Sequence, residues 1–254
     1  MAITHLHNVG NSSSKTAGTS FNYLTPNVAG NNTAAGDIIV ILIAKDNAAS
    51  ADGETSEVTS ITDTKGNIYV KAKEFCNAQG SANAGATVSV WWGKTTAALL
   101  AADADSTTIN FSSSITAKAA SSRAFSVAAG NTFEVEASTT LANDGADPGS
   151  LDLTVANIEH LWIRVQAHEG PASDNFTKTA AYTTSTNGNG TTGGAAASNM
   201  YEVHEQDIFT GTSNPSDPSW DNARDEASIL IAFKEITPAT STWPGWYSSR
   251  GGWF

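Results

Sequence analysis

The 254-residue chain sets 25 Asp and Glu against 13 Lys and Arg, a formal net charge of −12. Such an acidic balance repels phosphates and excludes the cation-driven, sequence-independent binding of nucleic acid, and the length suits one large all-β domain or two small ones. Only 15% of residues are charged, against roughly 25% in soluble domains generally. The polar surface must therefore come from Ser, Thr, Asn and Gly, as in extracellular or virion β proteins.

Cys76 is the single cysteine, which excludes an intrachain disulfide and a Cys-rich zinc site and predicts a buried, inert thiol. Ala2-Ile3-Thr4-His5 follows Met1 with neither the basic start nor the apolar centre of a signal peptide. The longest apolar run, Ile38–Ala44, is too short to span a bilayer. These features predict a protein made in the cytoplasm and placed by assembly, with no membrane and no nucleic-acid partner.

In chain order, Ile38–Ala44 is β-branched, continuous and bounded by Gly36-Asp37 and Lys45-Asp46-Asn47, so it reads as a central strand buried on both faces. Next, "VTSITDTKGNIYVKAKEF" (residues 58–75) sets two β-type runs around Asp63-Thr64-Lys65-Gly66-Asn67, which predicts a hairpin. Thr87–Trp92 and Thr107–Ser112 alternate as half-buried strands, and "TTAALLAADA" over Thr95–Ala104 predicts a helical turn or two on a connection. Arg123–Ala128 and Thr132–Ser138 read as strands joined at Gly130-Asn131.

Leu161–His168 alternates cleanly, followed by Phe176–Thr183, a Gly/Asn/Thr/Ala-rich loop over Thr184–Ala197, a strand over Asn199–Gln206 and the closing strand Ser228–Ile236. All seven prolines fall between these runs. Many short strands without βα alternation point to an antiparallel β-sandwich, jelly-roll-like. The expected division is one sandwich domain over 1–236, read as half-repeats at about 20–140 and 150–236 sharing one core, and an extended arm over 237–254. That arm carries Trp243, Trp246, Tyr247, Trp253 and Phe254. Each such ring gains about 1.5–3 kcal/mol on burial, so the arm reads as an ordered anchor for a neighbouring subunit or, alternatively, as an edge cover folded back on its own domain.

Chemistry-bearing residues are sparse. On Leu161–His168 one face is apolar, and the other carries Trp162, Arg164, Gln166 and His168, a set of aromatic, guanidinium, amide and imidazole groups suited to a saccharide or peptide; a second layer over this face is the competing reading. His5-x-His7 puts two imidazoles on one face of a strand but has no assignable third ligand. Glu134 with Glu136, and Glu202 with His204, share a strand face rather than opposing each other across a cleft, as glycosidase chemistry requires. The acidic loops at 46–57 and 103–105 lack the spacing of a calcium loop. With no nucleophile or phosphate-loop motif, the expectation is a non-enzymatic protein with no cofactor and no metal.

Taken together, "GDIIVILIAKD", "VTSITDTKGNIYVKA" (with Ser60, Asp63, Gly66, Asn67 and Tyr69 as its pattern), "ATVSVWWGKT" and "ASILIAFKEI" resemble a β-sandwich surface module of tailed-bacteriophage virion proteins that also occurs in secreted bacterial proteins. The resemblance spans roughly residues 20–236 and implies a jelly-roll-like fold and a virion or cell-surface setting. It carries over no functional residue. The resulting expectation is a head-decoration, fibre or tail-associated subunit that binds copies of itself and other virion proteins. The alternatives are a carbohydrate-binding attachment module contacting surface glycan and a hydrolase on a sandwich fold.

Overall fold

An apolar run without polar alternation needs apolar neighbours on both sides of its strand, and Ile38–Ala44 finds them. The computed structural model describes residues 3–26, 28–182 and 189–238, the side chain of Leu24 excepted. Its first eight strands are β1 (Thr4–Ser14), β2 (Gly18–Leu24), β3 (Ile38–Asp46), β4 (Val58–Asp63), β5 (Val70–Asn77), β6 (Ala86–Lys94), β7 (Ser106–Ile115) and β8 (Lys118–Ser126). They form a five-stranded sheet in the order β1-β8-β3-β6-β5 and a three-stranded sheet in the order β2-β7-β4.

The remaining strands are β9 (Thr132–Asn143), β10 (Ile158–His168), β11 (Phe176–Thr177), β12 (Asn189–Gly190), β13 (Tyr201–Gly211), β14 (Ser219–Trp220) and β15 (Glu226–Ile236). Of these, β12-β13-β10-β15-β9 make a second five-stranded sheet, and β11 pairs with β14 alone. The strand pairings are antiparallel. The fold is all-β, as the composition and strand spacing predict.

The sheets stack in three layers. Ile38, Val40 and Leu42 of β3 pack against Leu161, Ile163 and Val165 of β10 and Ile229, Ile231 and Phe233 of β15. The alternate residues Ile39, Ile41 and Ile43 pack on Phe21, Val58, Ile61, Ile109 and Phe111 of the three-stranded sheet. The sheet built around β3 is therefore the middle layer, which is why its central strand has no polar face: each buried aliphatic side chain contributes about 1.5–3 kcal/mol, and a polar residue on either side would have to be desolvated. A third apolar cluster lies on the far side of β10 and β15, where Trp162, Leu230 and Ala232 meet Leu151, Leu153, Val155 and Tyr182.

Several expectations change in this frame. The turn at Asp63–Asn67 does not make a hairpin: β4 pairs with β7 in the outer sheet, whereas β5 pairs with β6 in the middle sheet. It is a corner between layers, and its residues serve that bend. The Asp63 carboxylate accepts from the Lys65 and Asn67 backbone N–H groups (2.9 and 3.1 Å), from Asn67 Nδ2 (2.9 Å) and from the Tyr69 hydroxyl (2.7 Å). Asn67 Oδ1 in turn accepts from the N–H groups of Thr96 and Ala97. Gly66 sits at φ +75°, a conformation that favours glycine.

The junction at Gly130-Asn131 likewise crosses between sheets, because β8 lies in the middle layer and β9 in the next. Glu235 holds that crossing, accepting from Ala128 N–H (2.8 Å) and Asn131 Nδ2 (2.6 Å). The division between layers thus falls at residues 127–131, and β9 belongs with the later strands rather than with a half-repeat ending near 140. The expected helical stretch reduces to one 3-10 turn over Ala101–Asp103. Strand β6 is buried on both faces over most of its length instead of half-buried, since it too lies inside the middle layer. Cys76 is fully buried, and burial pushes its thiol up to about 11. No helix among the described residues is long and apolar enough to cross a membrane.

Candidate functional site

Strand β10 alternates as its sequence requires, with Leu161, Ile163, Val165 and Ala167 in the inter-sheet core. The opposite face, expected to be open for recognition, is covered: Trp162, Arg164 and His168 are 0% exposed and Gln166 is 1% exposed. The cover is built from the irregular segments 144–157, 169–182 and 212–225 together with the small β11–β14 pair. The four residues hold this layer down rather than meet a ligand themselves, which corrects the reading of them as a binding face.

Each has a distinct part in this. Trp162 joins the apolar cluster with Leu151, Val155 and Tyr182. Arg164 donates to three backbone carbonyls, those of Gly149 (2.8 Å), Ser216 (2.9 Å) and Pro148 (3.3 Å). Desolvation lowers its guanidinium to about 10, against the raising effect of the nearby Glu205 charge, so it remains cationic at neutral pH. Glu205 grips the same layer, accepting from Thr179 N–H (2.6 Å), Thr179 Oγ1 (2.7 Å) and Ser216 Oγ (2.5 Å). Gln166 Oε1 accepts from the Trp220 indole N–H at 3.2 Å.

His168 lies between two carboxylates, with Nδ1 2.8 Å from Glu226 and Nε2 3.1 Å from Asp174. Its ring stacks on Trp220 with centroids 3.8 Å apart and planes within 13°. Next to Phe176 and Tyr201, whose rings pack against Trp220, the cover opens into a pocket of about 220 Å³ lined by Asp174, Asn175, Phe176, Lys178, Tyr201 and Val203, among others. Sequence reasoning placed Phe176 on a strand. It missed Asp174, Tyr201 and Glu226, because residues that meet through irregular segments share no period.

A second polar cluster lies between the layers. Arg123 of β8 donates through Nε to His204 Nε2, and its Nη1 is 3.5 Å from His5 Nε2. His204 Nδ1 is 2.7 Å from Glu202 Oε1. The strand register slips between His5 and His7, and the His7 charge still reaches His5: burial, then Arg123, then His7 lower it to about 4. Burial raises Glu202 to about 8, with the Ser121 hydroxyl and the Arg123 charge drawing it partly back. Burial, together with the Arg123 and His5 charges, holds His204 well below its ordinary value.

The sign for Glu202 follows from linkage. An unfolded chain loses this proton near 4.5 and the folded chain near 8, so unfolding releases a proton in between and stability falls as pH rises through that window. Glu202→Gln removes this dependence. Compared with the parent by urea denaturation, it gains relative stability from pH 5 to pH 8, by at least about 1.4 kcal/mol, the worth of one pKa unit. A parent-minus-variant difference that stays flat over that range would show that Glu202 titrates normally.

Among the described residues no three His, Cys, Asp or Glu side chains converge as a metal ion would require. Glu136 is taken up by His160 (3.0 Å) and Lys234 (3.5 Å), while Asp103 and Asp105 both face Lys65. The aromatic arm residues Trp243, Trp246, Tyr247, Trp253 and Phe254 lie outside the described residues. Comparison with protein families, with curated proteins and with solved structures yields no match.

Proposed function

We propose that the protein is a non-enzymatic structural subunit of a virion, a head-decoration, fibre or tail-associated component that assembles with copies of itself through its C-terminal aromatic arm. The observation that carries this reading is the strand order: the sheet β1-β8-β3-β6-β5 faces β2-β7-β4. Apart from β5, which joins the first of these sheets, the order supports a jelly-roll-like alternation, an architecture common in viral capsid and lectin domains. A third sheet backs it, giving a stiff stack.

The buried charged groups also support a structural role. Arg164, Glu205, Lys45 and Glu57 are spent on holding backbone segments, and the pairs His168–Glu226 and His204–Glu202 are sealed from solvent. The position of the end of the last strand favours the arm as the contact. Strand β15 ends at Ile236 beside Thr132, and Lys94 of β6 reaches the Asn131 carbonyl at the same end. Near that end, Ile68 is 77% and Val70 46% exposed, with Val70 paired to Trp92. These side chains offer an apolar seat for the arm of a neighbouring copy.

Deleting residues 237–254 tests the reading. The shortened protein keeps the thermal midpoint of the parent to within about 2 °C, equivalent to less than about 1 kcal/mol, but runs as a monomer by size-exclusion chromatography with light scattering. Ile68→Asp also weakens the oligomer. A truncated protein that assembles like the parent, or a full-length protein that is monomeric at every concentration, would remove the arm as the contact.

A further inference from the structure

We infer that the pocket beside Trp220 is a binding site for a single neutral pyranose unit, a saccharide site on the cover layer that the assembly reading neither requires nor supplies. A pyranose offers C–H groups on its faces and hydroxyls around its rim, so a site for it combines aromatic surface with a few fixed polar groups. Phe176 and Tyr201 supply the aromatic surface, both half-buried at the pocket wall. Their rings are held edge-on to Trp220, at 5.2 Å and 60° for Phe176 and 5.6 Å and 62° for Tyr201. Trp220 is itself fixed by its stack on His168, so the wall is set before any ligand arrives, which lowers the ordering cost of binding.

The polar groups are equally well placed. The Asp174 side chain is only 6% exposed and is oriented by His168 Nε2 (3.1 Å), Arg224 Nε (3.1 Å) and Asn222 Nδ2 (3.0 Å). A carboxylate has about four acceptor sites, so capacity remains for a hydroxyl donor. Lys178 gives two of its three N–H bonds to the carbonyls of Thr179 (3.3 Å) and Tyr182 (2.6 Å) and keeps a donor for a ring or hydroxyl oxygen. Asn175 is held through its backbone N–H (2.9 Å) and Nδ2 (2.7 Å) by Asp221.

Charge and size narrow the class. The Asp174 carboxylate is paired with Arg224 and Lys178 lines the same pocket, so the repulsion of phosphorylated or acidic sugars comes from the overall net charge of −12. An apolar ligand would leave the remaining acceptor site of Asp174 and the remaining donor of Lys178 unused. At about 220 Å³ the space lies below the roughly 300–1,000 Å³ that drug-sized ligands occupy and suits one ring.

The test uses the full-length protein with methyl glucosides, galactosides and mannosides in saturation-transfer NMR, alongside a printed array of neutral, sialylated and uronic-acid glycans. At least one neutral pyranoside binds, and Phe176→Ala and Tyr201→Ala each weaken it by about tenfold or more, while thermal midpoints stay within about 2 °C of the parent. The truncation at residue 237 leaves this binding intact, so failure of the arm contact and failure of the saccharide site are read separately. The inference is overturned if no pyranoside binds at tens of millimolar and the array is blank, if acidic glycans are preferred, or if binding survives both substitutions.

Discussion

Arg164→Met lowers the stability of the protein by about 3–5 kcal/mol, the usual cost of removing one member of a buried charged network. Methionine fills much of the same space, so packing alone does not account for such a loss. What disappears are the donors to the carbonyls of Pro148, Gly149 and Ser216; Ser216 keeps the Leu151 N–H, while each acceptor left buried without a partner costs about 1–3 kcal/mol. The Glu205 carboxylate, which shares Ser216 with Arg164, loses a neighbouring cation as well. Urea denaturation measures the loss, and limited proteolysis locates it: cleavage appears first in segments 144–157 and 212–218, ahead of global unfolding. A variant as stable as the parent, or one that opens first elsewhere, would show that these carbonyls do not depend on the guanidinium.

Glu57→Ala has an effect of similar size in the other half of the stack. Lys45 is fully buried, and among the described residues its ammonium is held by the Glu57 carboxylate and the Asp46 carbonyl. Removing Glu57 strands that charge and also frees the N–H groups of Ala48 and Ala49, for a loss of about 3–5 kcal/mol. Lys45→Met costs less, because Glu57 keeps both N–H donors and the Thr87 hydroxyl. Burial by itself would raise Glu57, yet the Lys45 charge and the hydrogen bonds from Lys45, Ala48 and Ala49 outweigh it and hold the carboxyl below its ordinary 4.5. The stabilisation is therefore present above 4.5 and fades as pH falls through the depressed value. The gap between parent and Glu57→Ala, measured by denaturation from pH 7 to pH 3, narrows toward the acid end. A gap that is small at pH 7 or independent of pH would contradict this account.

Which features could be seen in the sequence depended on whether one residue's surroundings repeat along a strand. Strands β3, β10 and β15 were readable because every residue, or every second one, meets an apolar core. Strand β1 was not, since its Thr, His, Asn and Ser residues run along a sheet edge and its register slips between His5 and His7 and again between Asn8 and Gly10. The turn chemistry at Asp63–Asn67 was legible, but its meaning was not: an Asx-type bend looks the same whether the next strand returns to its neighbour or passes to another layer. The face bearing Trp162, Arg164, Gln166 and His168 was assigned correctly as a face. Alternation cannot say what lies over a face, and here the cover consists of loops whose own pattern is aperiodic.

The middle layer has a consequence for how such a protein can vary. Ile39, Ile41 and Ile43 answer to one core and Ile38, Val40 and Leu42 to another, so no position on that strand offers a side where novelty is cheap. Substitution is cheapest on the two outer skins, the three-stranded sheet and the looped lid. A lineage of such proteins would keep a nearly fixed spine and change its face to the world one loop at a time.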